Sequence, residues 1–269
     1  MLKTEMRNPK TTHIDQMSAL EIGRIMNEEN MAAILAVDRE MENIAAAIDR
    51  IAQALTEGGR LFYVGAGSSG RLGILDAAEC PPTFGVSSDT VVGIMAGGAG
   101  AMVKAQEGVE DDPEAGLTDL KAYDVNQKDV VVGISASGGA AYVMRALEYA
   151  GAQGACTVGI TSNKESKLAD MADISICPDT GAEVVTGSTR LKAGTAQKII
   201  LNMLSTGAMI RSGYVYENLM INVKPANEKL SRRVIRIVEE ITGKDSFTCE
   251  KLLEENQWDI KKAVSKISP

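Results

Sequence analysis

Between residues 61 and 177 the chain repeats one theme: a short unbroken apolar run, then a Gly/Ser turn or a helical stretch. The runs occupy 61–64, 91–95, 130–134, 157–160 and 174–177, with helical patterns predicted near 69–78, 101–108, 113–122, 139–150 and 164–171. Continuous apolar strands, with no polar alternation, imply a sheet buried on both faces. Strands alternating with helices imply that it is parallel, with right-handed helical crossovers. The expected fold class is therefore α/β, a doubly wound parallel sheet.

The flanks read differently. Residues 1–17 are polar and predicted to be an extended leader. Ser18, with Glu21 three residues on, has capping-box spacing for a first helix. A second helix is predicted over 38–57, where Met41, Ile44, Ile48, Ile51 and Leu55 recur at helical intervals before Gly58-Gly59. A long buried helix is expected over 191–212. Beyond Asn222 the chain turns charged, and helices near 226–242, 246–256 and 258–267 suggest a small helical module resembling a ubiquitin-associated bundle. The expected organisation is a leader with two helices over 1–57, a central domain over 58–222 and the module over 223–269.

Composition narrows the function. The 269 residues carry 28 Lys+Arg against 36 Asp+Glu, a net −8, which argues against binding nucleic acid or an anionic membrane. No apolar run approaches the ~18–20 residues needed to cross a bilayer, and 1–13 lack a signal-peptide core, so a cytoplasmic protein is expected. The four cysteines form no C-x-x-C pair and read as free, mostly buried thiols. The single histidine, His13, sits in the leader, so Ser-His chemistry and multi-His metal sites are disfavoured. No metal or cofactor is expected.

Three loops carry the candidate chemistry. Val64-Gly65-Ala66-Gly67-Ser68-Ser69-Gly70-Arg71 follows a strand and opens a helix, where glycines and free N–H groups admit an anion and Ser68 and Ser69 add donors. Gly65, Gly67 and Gly70 fit the dinucleotide spacing. The expected acidic partner about 20 residues on is missing, Asp89 being its only candidate, and a tight turn without ligand explains the same glycines. The second loop, with Ser135, Ser137 and Gly138, again joins strand to helix. Two such loops on neighbouring strands converge where open α/β sheets bind ligands. Hydroxyls and amides without a P-loop lysine suit a phosphate monoester on a small molecule. The third loop brings Glu183, Ser188, Thr189 and Lys192 to the start of the long helix. Glu79 precedes Cys80-Pro81-Pro82, where the double proline is expected to stop the helix. Glu110 lies in an acidic stretch and, read alone, is expected to be a surface helix cap rather than a catalyst.

Residues 65–85, Gly-Ala-Gly-Ser-Ser-Gly-Arg-Leu-Gly-Ile-Leu-Asp-Ala-Ala-Glu-Cys-Pro-Pro-Thr-Phe-Gly, resemble the signature of the N-acetylmuramic acid 6-phosphate etherases. So do 107–112, 183–198, 202–207 and the leader 4–9, and the resemblance spans roughly 4–243. It implies a sugar isomerase (SIS) fold, a phosphosugar substrate, a homodimer with sites near the subunit interface, and a lyase that removes D-lactate. By the same resemblance Glu79 matches the proton donor to the lactyl oxygen and Glu110 a second acid/base group. Ser68, Ser69, Gly70, Ser135, Ser137, Gly138, Glu183, Ser188, Thr189 and Lys192 are the expected binding residues. One departure stands out. Gly139-Ala140-Ala141 replaces the family's Arg-Thr-Pro, removing a hydroxyl worth about 1.5–3 kcal/mol on a charged oxygen. Two other readings use the same loops: a phosphosugar isomerase with Glu183 as base, and a phosphosugar-sensing regulator without turnover.

Overall fold

The computed structural model describes residues 2–222, 225 and 228–265. Helices α1 (Ala19–Asp38) and α2 (Met41–Thr56) lead into β1 (Leu61–Gly65), α3 (Gly67–Phe84), β2 (Val91–Met95) and α4 (Gly98–Val103). Then come α5 (Pro113–Lys121), β3 (Val130–Ile134), α6 (Ala141–Ala152), β4 (Cys156–Ile160), α7 (Lys167–Met171) and β5 (Ile174–Ile176). The long α8 (Lys192–Arg211) precedes a hairpin, β6 (Val215–Tyr216) with β7 (Leu219–Met220), and three helices, α9 (Glu228–Thr242), α10 (Ser246–Glu255) and α11 (Ile260–Ser265). Predicted positions 226, 227, 266 and 267 of the last helices, and residue 223 at the expected boundary, lie outside the described residues.

Five strands pair in parallel in the order β2-β1-β3-β4-β5, with Gly65 level with Met95 on one side and Ile134 on the other. Alternate strand residues feed two separate cores. Leu61, Tyr63, Val130, Val132 and Ile134 pack with α2, α3 and α8, whereas Phe62, Val64 and Val131 pack with Leu120 of α5 and Val143, Ala146 and Leu147 of α6. Burial on both faces explains why the runs are continuously apolar. Because α3 covers one face and α6 the other, the chain leaves β1 and β3 in opposite directions. The crevice between their carboxyl ends is the topological switch point where such sheets take ligands.

Three local expectations change. Helix α3 does not stop at the double proline but runs through Pro81 and Pro82 to Phe84. Proline's fixed φ suits a helix, and only two hydrogen bonds of the last turn are lost. Gly85, left-handed at φ 64°, ends the helix by donating its N–H to the Pro81 carbonyl. Second, the predicted 101–108 helix is the shorter α4, launched from left-handed Gly97 and Gly98, with a 3₁₀ turn at Val109–Asp111 after it. Third, the leader is not extended: it folds into three 3₁₀ turns and buries Thr4, Asn8 and Thr11. The Ser18–Glu21 capping box is present in both directions.

The hairpin and α9–α11 build a third cluster around Val234, Val238, Cys249, Leu253 and Ile260, with Leu219, Met220, Ile221 and Trp258 packed against it. Among the described residues no helix is long and apolar enough to cross a membrane.

Candidate active site

The β1–α3 and β3–α6 loops meet at the switch point and enclose a cleft of about 300 Å³. Ser68 and Ser69 line it from the first turn of α3, and Ser135 and Ser137 from the β3 loop. Thr189 and Gly187 close it from the loop before α8, Glu110 from the 3₁₀ turn, and Glu5 from the leader. The α3 N-terminus adds backbone N–H groups that have no partner inside the helix and favour negative charge.

Local packing fixes this shape. A side chain at Gly70 would put its Cβ 2.6 Å from the Met95 Cβ and 2.7 Å from the Gly65 carbonyl oxygen, so only glycine lets α3 start this close to the strands. Gly138, at φ +72°, has the Ser166 side chain 2.3 Å from where its Cβ would sit. Asn163 holds the second loop by donating Nδ2 to the carbonyls of Ala136 at 3.0 Å and Ser137 at 3.2 Å. The Ser135 hydroxyl accepts the Gly138 N–H at 3.1 Å, and the Ser137 hydroxyl accepts that of Gly139 at 3.3 Å. The two hydroxyl oxygens also lie 3.4 Å apart, so one serine donates to the other and the second proton stays free for a ligand.

Ser69 has a partner that sequence reasoning missed. Its hydroxyl lies 3.0 Å from Oε1 of Gln197, which α8 holds buried, while Gln197 Nε2 has no partner. The amide turned over would donate Nε2–H to Ser69 and release the serine proton towards the cleft. Oxygen and nitrogen of a side-chain amide are assigned by such networks.

The expected residues thus divide. Ser68, Ser69, Ser135, Ser137, Thr189 and Glu110 come together, with Gly70 and Gly138 shaping their loops. Glu183 does not face the cleft: fully buried, its Oε2 and Oε1 accept the N–H groups of Lys192 at 2.9 Å and Ala193 at 3.0 Å, capping α8. Lys192 is buried too, its Nζ 2.6 Å from Oε2 of Glu29 on α1. Ser188, between Gly187 and Thr189 in the chain, is not among the cleft-lining residues. Glu110 is exposed and leaves the capping of α5 to Asp112, which accepts the Ala115 N–H at 3.1 Å. Glu79 is exposed on α3, ten residues beyond Ser69, hence about 15 Å further along the helix axis and away from the cleft of its own chain. Ala140 lines the cleft as the α6 N-cap without a side-chain bond. No Lys or Arg is among the lining residues.

Residues 109–207 match the SIS domain family, and residues 43–151 match the N-terminal SIS domain of glucokinase regulatory protein. Among solved structures, the phosphoheptose isomerases of Neisseria gonorrhoeae and Francisella tularensis superpose with TM-scores of 0.54 and 0.52. They share 19% and 17% identity and cover 70% and 72% of this chain and 96% and 100% of theirs. The doubly wound sheet with its hydroxyl-lined switch point is thus that of a SIS-domain protein. Curated N-acetylmuramic acid 6-phosphate etherases of Clostridium botulinum and Symbiobacterium thermophilum are 51% and 52% identical over 263 residues, 98% of this chain and 87% of theirs. The chain belongs to the N-acetylmuramic acid 6-phosphate etherase family.

Proposed function

We propose that this chain is a carbon–oxygen lyase that releases D-lactate from N-acetylmuramic acid 6-phosphate and leaves N-acetylglucosamine 6-phosphate. The observation that carries the reading is a hydroxyl-lined anion cleft with Glu110 on its rim, in a chain about half identical to etherases over nearly its whole length. The phosphoryl group sits on the α3 N-terminus among Ser68, Ser69, Ser135 and Ser137. This extends the open sugar chain towards Glu110 with its aldehyde free. The aldehyde acidifies the C2 proton, which a carboxylate removes. The electron pair forms the C2–C3 double bond as the C3–O bond breaks, and a carboxylic acid protonates the departing oxygen, giving D-lactate. Water then adds its hydroxyl at C3 and returns a proton to C2. Two carboxyl groups in opposite protonation states serve both steps.

Glu110 takes one role in its own chain's cleft. Glu79 takes the other, donating to the lactyl oxygen, from a second copy. The ~15 Å of helix between Ser69 and Glu79 exceeds what the three carbon–carbon bonds from C6 to C3 can span. Exposed apolar residues supply a surface for that copy: Leu75 on the Glu79 face of α3, and Met31, Ile34 and Leu35 on α1. The working unit is therefore a cytoplasmic homodimer that takes a small phosphosugar. Chain division at 57/58 and 222/223 is proposed on the same footing. The third apolar cluster supports a separate C-terminal module and draws the hairpin residues 219–221 to it.

An isomerase using Glu183 as base is disfavoured, because both its carboxylate oxygens are held by α8 backbone N–H groups. The deciding assay incubates purified protein with N-acetylmuramic acid 6-phosphate and follows D-lactate. Release at enzymic rates is expected, and phosphosugar isomerisation without lactate would displace this reading. The altered loop gives a second expectation. Ala140→Thr restores a hydroxyl to the cleft and an N-cap to α6, so KM should fall by about ten- to a hundred-fold while stability rises by about 0.5–2 kcal/mol. An unchanged KM with raised stability would mean that position 140 does not reach the phosphate.

A further inference from the structure

The leader contributes a carboxylate to the cleft that none of the roles above uses. Glu5 lines the cleft, and its Oε2 lies 3.2 Å from the point a Cβ on Gly187 would occupy, against the third loop. The residues around it are firmly tied. Thr4 is buried beside Asn163, the residue that holds the Ser135–Ser137 loop. Asn8 donates to Glu29 at 2.7 Å and to the Ala182 carbonyl at 3.3 Å, and Thr11 donates to the Val184 carbonyl at 2.9 Å. Lys3 pairs with Asp179 on the far side. Among the described residues, Glu5 itself has no side-chain hydrogen bond or ion pair. A segment anchored through its neighbours while its one cleft-facing carboxylate stays free is arranged for a ligand, not for the fold.

We infer that Glu5 is a substrate-contacting residue that accepts hydrogen bonds from the sugar hydroxyls at C4 and C5. The inference rests on the etherase reading of the same cleft. An ionised carboxylate is an acceptor only, so it repels the phosphoryl oxygens and selects the donors beside them. In an open-chain 6-phosphate those donors are the C4 and C5 hydroxyls, which lie between the phosphorylated carbon and the reacting carbons. Holding them fixes the rotation of the chain, and so which carbon faces Glu110. A carboxylate whose energy goes into orienting the chain affects turnover as well as binding.

The test compares wild type, Glu5→Gln and Glu5→Ala on N-acetylmuramic acid 6-phosphate and on its 4-deoxy and 5-deoxy analogues. The readouts are D-lactate release, binding of N-acetylglucosamine 6-phosphate by calorimetry, and melting temperature. Expected for Glu5→Ala is a loss of about ten- to a hundred-fold in kcat/KM, with Glu5→Gln between it and wild type and melting unchanged. Wild type should discriminate against at least one deoxy analogue by a similar factor, and Glu5→Ala should lose that discrimination, the coupling a direct contact requires. Variants within about twofold of wild type, or equal discrimination in both proteins, would overturn the assignment. A wild type that releases no D-lactate would sink the etherase reading by itself. The calorimetric comparison would still judge Glu5, which predicts weaker product binding by Glu5→Ala.

Discussion

Mixing Glu79→Gln with Glu110→Gln subunits should restore about a quarter of wild-type D-lactate release, although each variant alone is nearly inert. Removing a general acid or base lowers turnover by roughly 10²–10⁴-fold. Both residues are exposed and neither holds the fold, so the variants should melt like wild type. The recovery follows from where the two carboxylates sit. In a two-fold dimer whose cleft uses its own Glu110 and the other copy's Glu79, a mixed pair contains one site with both groups intact and one with neither. Random exchange makes about half the dimers mixed, each with one working site of two. Were Glu79 to serve its own chain, every site in every mixture would lack one carboxyl group. Mixtures no more active than the parent variants, after exchange verified by mass-tagged subunits, would therefore exclude the shared site. The measurement thus tests the oligomer, the interface and the division of catalytic labour together.

The sheet was legible because burial on both faces leaves a mark that survives without knowing the partners: unbroken apolar runs ended by Gly and Ser. The serine loops that meet at the switch point were legible for a related reason. Gly70 is demanded by the Gly65 carbonyl oxygen and Gly138 by the Ser166 side chain, each under 3 Å from where a Cβ would sit, and serines beside such glycines at strand ends have few structural uses. What escaped depends on contacts distant in sequence. Glu183 and Lys192 read as ligands because charged and hydroxyl residues cluster before α8. One is a helix cap and the other pairs with Glu29, 163 residues away. Gln197 looks like one polar residue in a buried helix until α8 is set against the first turn of α3. The leader offered a faint signal in Thr4, Asn8 and Thr11, polar residues at helix-like intervals that turn out to be buried. Nothing local says that their partners are loops about 160 to 175 residues on. The double proline misled for a different reason, since its fixed φ stops a helix only where the lost hydrogen bonds and ring contacts cannot be accommodated.

The buried ion pair that anchors the leader should make stability acid-sensitive in a defined window. Burial alone would raise the Glu29 carboxyl. Hydrogen bonds from Lys192, Lys10 and Asn8 outweigh burial and hold it at about 2, against 4.5 for a free side chain. A carboxylate lowered in the folded state stabilises the fold fully above its unfolded value. That contribution is lost as pH falls from about 4.5 towards 2, where the folded form also takes up its proton. Lys10 is largely exposed and contributes little, whereas Lys192 is only 3% exposed, so the Lys192 contact dominates. Lys192→Met leaves Glu29 buried without its main partner, which costs about 3–5 kcal/mol at neutral pH. In a chain of this size that is a fall on the order of 10 °C in melting temperature. The gap between variant and wild type should be widest above pH 4.5 and close as pH drops, because a protonated Glu29 no longer needs the ammonium. Melting curves that stay parallel down to the acid limit would show that the pair is stability-neutral and that Lys192 matters only by its packing. The same variant should loosen Asn8 and Lys10, and with them the segment that presents Glu5. A raised KM accompanying the lost stability would tie the anchor to the cleft it holds in place.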